Sequence, residues 1–222
     1  HDSDEIDHLH LFNKQIKWEH NQTGAVGRFD NEGLQDVFEH LLSLFNEERR
    51  EELQAIFNTL KGNNYGEAFL SWLHEIFAEQ GLIIIDGDNK KLKELFKPVM
   101  ELELKEGHSN HSVQETNEKL KNLKRKTQVH SREINLFYLT ENERSRIIKT
   151  AQGFNIGDRT YSLDELLSML SEQADQFSPN AILRPVYQEY ILPNLCYVGG
   201  MAEMNYWAQL KCVFEKTNLH YP

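Results

Sequence analysis

The clearest hydrophobic pattern in the chain lies between residues 194 and 215. Asn194 to Val198 is a short, mostly apolar run that ends at Gly199-Gly200, which predicts a buried strand of an α/β sheet. From Met201 onward apolar residues return every three to four positions, which predicts an amphipathic helix. The positions of its apolar face are Met201, Met204, Ala208, Cys212 and Phe214, widened by Trp207, Leu210 and Val213. The sequence therefore predicts a strand, a glycine turn and a helix in direct succession.

A glycine turn between a strand and a helix suits ligand binding, because the backbone can approach the ligand and the first helical N–H groups point at it. A phosphate or carboxylate is the expected ligand class. Glu203 in the first helical turn either complements the helix dipole or binds an amine or hydroxyl of the same ligand. Since glycines are common at such turns, a packed strand-helix unit without any ligand is the alternative.

Three amphipathic helices are predicted between a polar connector at residues 11–28 and an apolar run at Leu82 to Asp86. The helices are predicted at 34–45, 46–60 and 67–80. Asp30 or Asn31 is the expected N-cap of the first and Asn46 that of the second, and Gly81 is expected to end the third. The apolar run itself predicts a buried strand. The amino-terminal half is therefore expected to be mainly helical.

Helices and strands alternate after residue 88. A helix at 89–106 is expected to bend or break at Pro98, because proline removes a helical donor, and to end at Gly107. A polar helix at 110–123 and strands at 132–139, 146–148 and 154–156 follow. Ser162 and Glu165 form a capping box that opens a further helix, and Ser178-Pro179 predicts another helix start.

Composition limits the possible partners. The chain has 24 basic and 35 acidic residues, a formal net charge of −11, so no nucleic-acid partner is expected. Cys196 and Cys212 occupy positions where a small buried thiol fits, and both are predicted to be reduced core residues. No apolar run approaches the roughly 18 residues of a membrane span, and the charged first residues do not match a signal peptide. A cytoplasmic protein without membrane contact is expected.

Seven of the residues between His1 and His10 are ionisable. Carboxylates and imidazoles can ligate a metal, but their spacing matches no closed zinc pattern. A solvated end of the chain is the simpler interpretation. The sequence therefore predicts no metal site.

Longer motifs carry a family resemblance. The string SPNAILRPVYQEYILP from Ser178, followed by YVGGMAEMNYWAQL from Tyr197, resembles the cysteine-adding enzymes of bacillithiol biosynthesis, the BshC family. HDSDEIDH from His1 and REINLFYL from Arg132 resemble two further blocks of that family, in the same order. Members of the family are considerably longer on both sides, so the resemblance implies that this chain is the central fragment of a longer protein.

The resemblance implies an α/β fold with a Rossmann-like core, related to class I aminoacyl-tRNA synthetases and interrupted by a helical and β-rich connective insert. Parallel pairing of the strand at 195–198 is then expected. The implied segments are a core strand end at 1–12, a helical insert at 13–81, a core strand and helix at 82–106, a connective α/β element at 107–177, and a core unit with the ligand turn at 178–222.

The implied reaction joins the carboxyl group of cysteine to the amine of glucosaminyl malate, with ATP or another nucleotide as activator. The resemblance places catalytic residues at His1, Asp2, Asp4 and Glu5. It places substrate-binding residues at Asn180, Arg184, Gln188, Gly199, Gly200, Glu203 and Tyr206. In this scheme Arg184 pairs with a malate carboxylate or a phosphate, and Glu203 holds the cysteine amine or a sugar hydroxyl.

Asn180, Arg184 and Gln188 recur about one helical turn apart, which predicts one shared face. Each polar residue could instead make a structural hydrogen bond, and Arg184 and Glu203 could form a salt bridge with each other. The whole parent is expected to be a homodimer that contains a coiled coil, and the fragment alone to be inactive. A non-catalytic acidic interaction module that binds a basic protein is the alternative function.

Overall fold

A computed structural model describes residues 8–11 and 13–222. The chain divides into two compact units. The first takes the chain up to Asp86 together with Thr140–Glu143, and the second takes Gly87–Leu139 and Arg144–Pro222. Across the described ranges, no helix combines the length and the apolar character that a membrane crossing requires.

The first unit combines one hairpin with three helices. Its elements are strands β1 (His8–Leu11) and β2 (Lys14–Lys17), paired antiparallel, and helices α1 (Leu34–Leu42), α2 (Glu47–Phe57) and α3 (Tyr65–Phe77). Asn46 caps α2 by accepting a hydrogen bond from the Arg49 N–H, and Asn64 caps α3 in the same way. The three predicted helices are confirmed. The expected cap of α1 is wrong, because Gly33 precedes that helix.

The second unit is built on a five-stranded antiparallel sheet. Its strands are β3 (Leu136–Leu139), β4 (Arg144–Thr150), β5 (Gly153–Ile156), β6 (Arg159–Tyr161) and β7 (Phe177–Pro179). Their order in the sheet is β6-β5-β4-β3-β7. Consecutive strands β3 to β6 form a meander, and β7 returns to pair with β3 at the edge. The strands predicted at 132–139, 146–148 and 154–156 are confirmed within a few residues.

Six helices surround the core of the second unit. They are α4 (Lys90–Glu106), α5 (His108–Asn122), α6 (Leu163–Glu172), α7 (Arg184–Ile191), α8 (Met201–Trp207) and α9 (Lys211–Lys216). α4 packs against α6 and α7, and α5 packs against α9. The core includes Phe96, Met100, Leu104, Leu136, Leu166, Phe177, Leu183, Leu210 and Phe214. Ser162 and Glu165 form the predicted capping box of α6.

Two predicted strands are wrong. Neither Leu82 to Asp86 nor Asn194 to Val198 is a strand, so the expected parallel pairing at 195–198 is not seen among the described residues. Leu195 and Val198 are 97% and 92% exposed. A strand needs a neighbour for its N–H and C=O groups, and this apolar run has none within the described chain.

Two predicted helix boundaries are also wrong, and one predicted break is not seen. α4 continues through Pro98, whose neighbours Phe96 and Met100 are buried, so the helix does not break there. Ser178-Pro179 ends strand β7 and does not begin a helix. The long helix predicted from Met201 is broken between α8 and α9 at Gln209, whose buried amide accepts the N–H groups of residues 128 and 129.

Gly107 joins α4 to α5 at a φ of 58°. A Cβ at this position would lie 2.7 Å from the Glu133 carbonyl oxygen, whereas Gly157 has a similar φ of 56° and open space around it. We expect Gly107→Ala to lower the free energy of unfolding by about 2–4 kcal/mol, and Gly157→Ala by about 1 kcal/mol, since only the first adds a clash to the left-handed strain. Urea unfolding of both variants checks this. If both variants lose the same free energy of unfolding, the backbone at residue 107 can move away from the Glu133 carbonyl oxygen without destabilising the protein.

Candidate functional site

The start of α7 positions Arg184. Arg184 is the first residue of α7, and its N–H donates to the Asn180 carbonyl at 2.8 Å. The Asn180 side-chain oxygen accepts the Ile182 N–H at 2.8 Å, which satisfies a donor of the turn that leads into the helix. Pro185 falls in the first turn, where a missing N–H costs no helical hydrogen bond. The sequence therefore fixes both the start of the helix and the place of the guanidinium.

Arg184 meets Glu203 and Tyr206 of helix α8. The Arg184 Nη2 atom lies 2.9 Å from Glu203 Oε1 and 3.0 Å from the Tyr206 hydroxyl. The Tyr206 hydroxyl also donates to Glu203 Oε1 at 3.1 Å, so the three groups form a closed triangle. The side chains of Arg184 and Glu203 remain 45% and 31% exposed. This is the salt bridge that the alternative interpretation predicted, and it is accessible to a ligand.

Tyr197 adds a second phenol to this triangle. A hydrogen bond from Tyr197 is the main reason why the pKa of Glu203 is lowered, and the hydrogen bond of Tyr206 and the charge of Arg184 act in the same direction against burial. Burial, and then Glu203, raise the pKa of Tyr197. We call Arg184, Tyr197, Glu203 and Tyr206 the Arg184 cluster.

The charges of the Arg184 cluster are well defined at neutral pH. Burial lowers the pKa of Arg184, but hydrogen bonds with Tyr206 and Tyr197 outweigh it, so that the pKa rises above its ordinary value. The cluster therefore presents one carboxylate, one guanidinium and two phenols. A carboxylate can accept from an ammonium or hydroxyl group, and a guanidinium can donate to a carboxylate or phosphate.

Aromatic packing holds Tyr197 in place. Its ring stacks on Trp207 with centroids 3.8 Å apart and an interplanar angle of 16°. Trp207 is 2% exposed and packs in turn against Phe214 and Tyr221. Sequence reasoning did not assign Tyr197 to the site. The sequence feature that could have indicated it is its position two residues before Gly199.

The glycine turn lies beside the cluster. Helix α8 begins at Met201 directly after Gly200, as predicted. A Cβ at Gly199 would lie 2.7 Å from Cε1 of Tyr197, whereas a Cβ at Gly200 would meet no atom within 4 Å. Gly199 is therefore needed by the packing of Tyr197, and Gly200 leaves open space at the start of the helix.

This difference gives a test of the turn. We expect Gly199→Ala to displace the Tyr197 ring from Trp207 and to change tryptophan fluorescence and near-ultraviolet circular dichroism, because the added methyl would overlap the ring. Gly200→Ala is the matched control and should leave both spectra unchanged. Identical spectra for the wild type and the Gly199 variant would show that Tyr197 can move aside without losing its stack.

The remaining predicted site residues are not gathered at the cluster. Asn180 precedes α7, and its amide donates to Asn135 Oδ1 at 2.8 Å, so the predicted shared face with Arg184 and Gln188 is wrong for Asn180. Gln188 lies on α7 one turn after Arg184, and its side chain has no hydrogen bond to the cluster within the described chain. His1, Asp2, Asp4 and Glu5 lie outside the described residues.

Comparison with known proteins decides the family. A family model described as "Bacillithiol biosynthesis BshC, N-terminal Rossmann-like domain" matches residues 1–222. The chain belongs to the BshC family. Its fold is accordingly a Rossmann-like α/β domain, to which the described residues contribute the antiparallel sheet and the surrounding helices.

Curated relatives carry the name "Putative cysteine ligase BshC". The chain is 39% identical over 227 residues to the protein from Flavobacterium johnsoniae, and 37% identical over 226 residues to that from Cytophaga hutchinsonii. Each alignment covers 100% of this chain and 42% of the relative. The protein from Staphylococcus haemolyticus is 29% identical, with 44% of its length covered. This BshC chain therefore spans less than half the length of these relatives.

A buried polar network in this BshC domain was missed by sequence reasoning. Glu103 of α4 is fully buried, and its carboxylate accepts from the Ser109 N–H and hydroxyl and from the Asn135 N–H, at 3.0, 2.7 and 2.8 Å. The Nδ1 atom of buried His108 lies 2.9 Å from Glu103 Oε2. The sequence feature that could have indicated this network is the position of Glu103 on the apolar face of α4, next to Met100. We call Glu103, His108, Ser109 and Asn135 the Glu103 network.

The prediction for the cysteines is half right. Cys212 is buried and free, as expected, but Cys196 is exposed because the run that contains it is not a strand of the sheet. In the part of the chain that the structure describes, no three histidine, cysteine, aspartate or glutamate side chains are grouped so that they could hold a metal ion.

Proposed function

We propose that this chain is part of a cysteine ligase that joins cysteine to glucosaminyl malate through an amide bond in bacillithiol biosynthesis. Membership of the BshC family supports the pathway. The shared name of the relatives supports a ligase that acts on cysteine. The particular acceptor and the assignment of residues are parts of the proposal, since the relatives are more than twice as long as this chain.

The observation that carries the proposal is the exposed ion pair of the Arg184 cluster. Its carboxylate and guanidinium lie 2.9 Å apart, so they can receive an ammonium group and a carboxylate from bound substrates. In this proposal Glu203 holds the amine of cysteine, and Arg184 holds a carboxylate of the malate group or a phosphate. Exposed ion pairs contribute only about 0–1 kcal/mol, so little free energy is lost when substrate charges replace the internal contact.

Amide formation requires an activated carboxyl group, and a nucleotide such as ATP would supply that activation when bound. The residues at the glycine turn fit an anionic group, because Gly200 has open space around it and precedes the first-turn N–H groups of α8. Gly199, Gly200 and Arg184 would hold the anion. The phenols of Tyr197 and Tyr206 would orient Glu203 through the hydrogen bonds that lower its pKa.

Proton transfer is assigned to the block that begins the chain. By the family resemblance, His1, Asp2, Asp4 and Glu5 are the proposed catalytic residues, and an imidazole such as that of His1 can move a proton near neutral pH. Asn180 and Gln188 would complete the substrate contacts around α7. The parent is proposed to act in the cytoplasm as a homodimer with a coiled coil, and this chain alone to lack activity.

The proposal is tested with the full-length parent. Purified parent is supplied with cysteine, glucosaminyl malate and ATP, and the amide product is sought by mass spectrometry. We expect the product only when all three compounds are present. Product formed without ATP would refute the activation by that nucleotide, and no product with any nucleoside triphosphate would refute the ligase. Binding of a basic protein by a parent that ignores all three compounds would favour the acidic interaction module.

A further inference from the structure

A second cleft in the second unit is lined by positive charge. It has a volume of about 540 Å³ and is bordered by the segment before β3, by strand β4 and by the first turns of α5. Its charged side chains are Arg132, Arg146, Lys149 and Glu133. Three cations against one carboxylate give a local excess of two positive charges, in a chain whose net charge is −11. We call this the Arg146 cleft.

The cations of the Arg146 cleft have no carboxylate partner among the described residues. Several lysines on α4 and α5, by contrast, pair with glutamates one turn away, as in Lys97–Glu94 and Lys119–Glu115. Arg132, Arg146 and Lys149 have no ion pair within the described residues, and Glu133 does not pair with any of them. The charge of the cleft is therefore available to an anion from outside the chain.

The sheet places a second arginine, Arg144, next to Arg146, although Arg144 does not itself line the cleft. Alternation along β4 places Arg144 and Arg146 on one face, opposite the buried Ser145 and Ile147. Both guanidinium groups lie over the Phe137 ring, at 3.8 and 5.2 Å from its centroid. Burial, and then the charge of Arg146, lower the pKa of Arg144. Two cations held on one ring repel each other, and a bound anion would relieve that repulsion.

We infer that the Arg146 cleft binds a small molecule that carries a divalent oxyanion, either a phosphate group or a pair of carboxylates. Arg146 and Arg132 supply the forked donors that suit such anions. Phe137 fixes the position of Arg146, and the exposed Ile148 offers an apolar surface to the remainder of the ligand. None of the residues of the Arg184 cluster lines the cleft, and of the proposed substrate contacts only Asn180 does. Anion binding here can therefore be measured separately from the proposed ligase activity.

The test titrates the 222-residue chain with inorganic pyrophosphate and, separately, with succinate, by isothermal titration calorimetry at matched ionic strength. The two probes distinguish the phosphate source from the dicarboxylate source. The variant Arg132→Gln with Arg146→Gln removes two positive charges. The control Arg159→Gln with Lys211→Gln removes two exposed positive charges that do not line the cleft.

We expect at least one probe to bind the wild type, with a dissociation constant at least about tenfold larger for the cleft variant and unchanged within about twofold for the control. Unfolding midpoints near the wild-type value for both variants show that the exposed substitutions leave the fold intact. Three outcomes would each overturn the inference: no binding of either probe to the wild type, equal affinity of the folded cleft variant, or equal weakening in the control.

Discussion

Replacing Glu103 by alanine is expected to lower the free energy of unfolding by about 3–5 kcal/mol, as for the loss of one partner from a buried charged network. The carboxylate is fully buried, and it joins the end of α4 to the first turn of α5 and to the backbone before β3. Without it, the N–H groups of Ser109 and Asn135 lose their acceptor, and the imidazole of His108 loses the carboxylate that lies beside it. Each buried donor that is left unpaired costs about 1–3 kcal/mol.

Urea unfolding, followed by circular dichroism, measures this loss. Glu101→Ala is the matched control, because Glu101 is on the same helix in an exposed pair with Lys105 and should cost at most about 1 kcal/mol. A loss for Glu103→Ala no larger than that of the control would show that the Glu103 network contributes no stability.

The same network predicts how stability changes with pH. Burial raises the pKa of Glu103, but hydrogen bonds from His108 and Ser109 outweigh it and hold the pKa below its ordinary value of 4.5. A carboxyl group with a lowered folded-state pKa stabilises the protein fully above its unfolded-state pKa, and that stabilisation is lost as pH falls through the folded-state pKa. The stability advantage of the wild type over Glu103→Gln should therefore shrink below about pH 4.5. An advantage that does not change with acidification would contradict the charged state of Glu103.

In the full-length parent, Glu203→Gln is expected to reduce product formation at limiting cysteine by about 10- to 100-fold. Hydrogen bonds to charged groups contribute about 1.5–3 kcal/mol, and the amide cannot provide the charge that an ammonium group requires. The loss should fall mainly on the KM for cysteine. Glu215→Gln changes an exposed carboxylate of α9 and serves as the control. An unchanged KM for cysteine in Glu203→Gln would remove this residue from the cysteine site.

Local patterns predicted most of the helices and three strands of the second unit, but not their antiparallel pairing. The caps at Asn46 and Ser162 and the helix stop at Gly107 are set by residues close in sequence, and all three are confirmed. The apolar run around Leu195 was misassigned, because a strand depends on a neighbour that periodicity along one segment does not reveal. The predicted helix from Met201 was too long for a similar reason, since Gln209 bonds to backbone about 80 residues away.

The candidate site was only partly predictable. The residue types predicted the Arg184–Glu203 salt bridge as one of two alternatives. The participation of Tyr197 could not be predicted, because it depends on the stacking of its ring on Trp207 across the glycine turn. Asn180 was placed on the same face as Arg184 and Gln188 by helical spacing, but the helix begins only at Arg184. The Glu103 network required long-range contacts between α4 and Asn135 that no local motif encodes.

A charge exchange in the full-length parent tests most directly whether the Arg184 cluster binds substrate. The variant Arg184→Glu with Glu203→Arg keeps an ion pair between α7 and α8 but reverses the charges that substrates meet. If the cluster binds the cysteine amine and an anionic group, the variant should unfold within about 1 kcal/mol of the wild type and form product at least about 100-fold more slowly. Product formation at the wild-type rate by the exchanged pair would show that the salt bridge is purely structural and would contradict the proposed site.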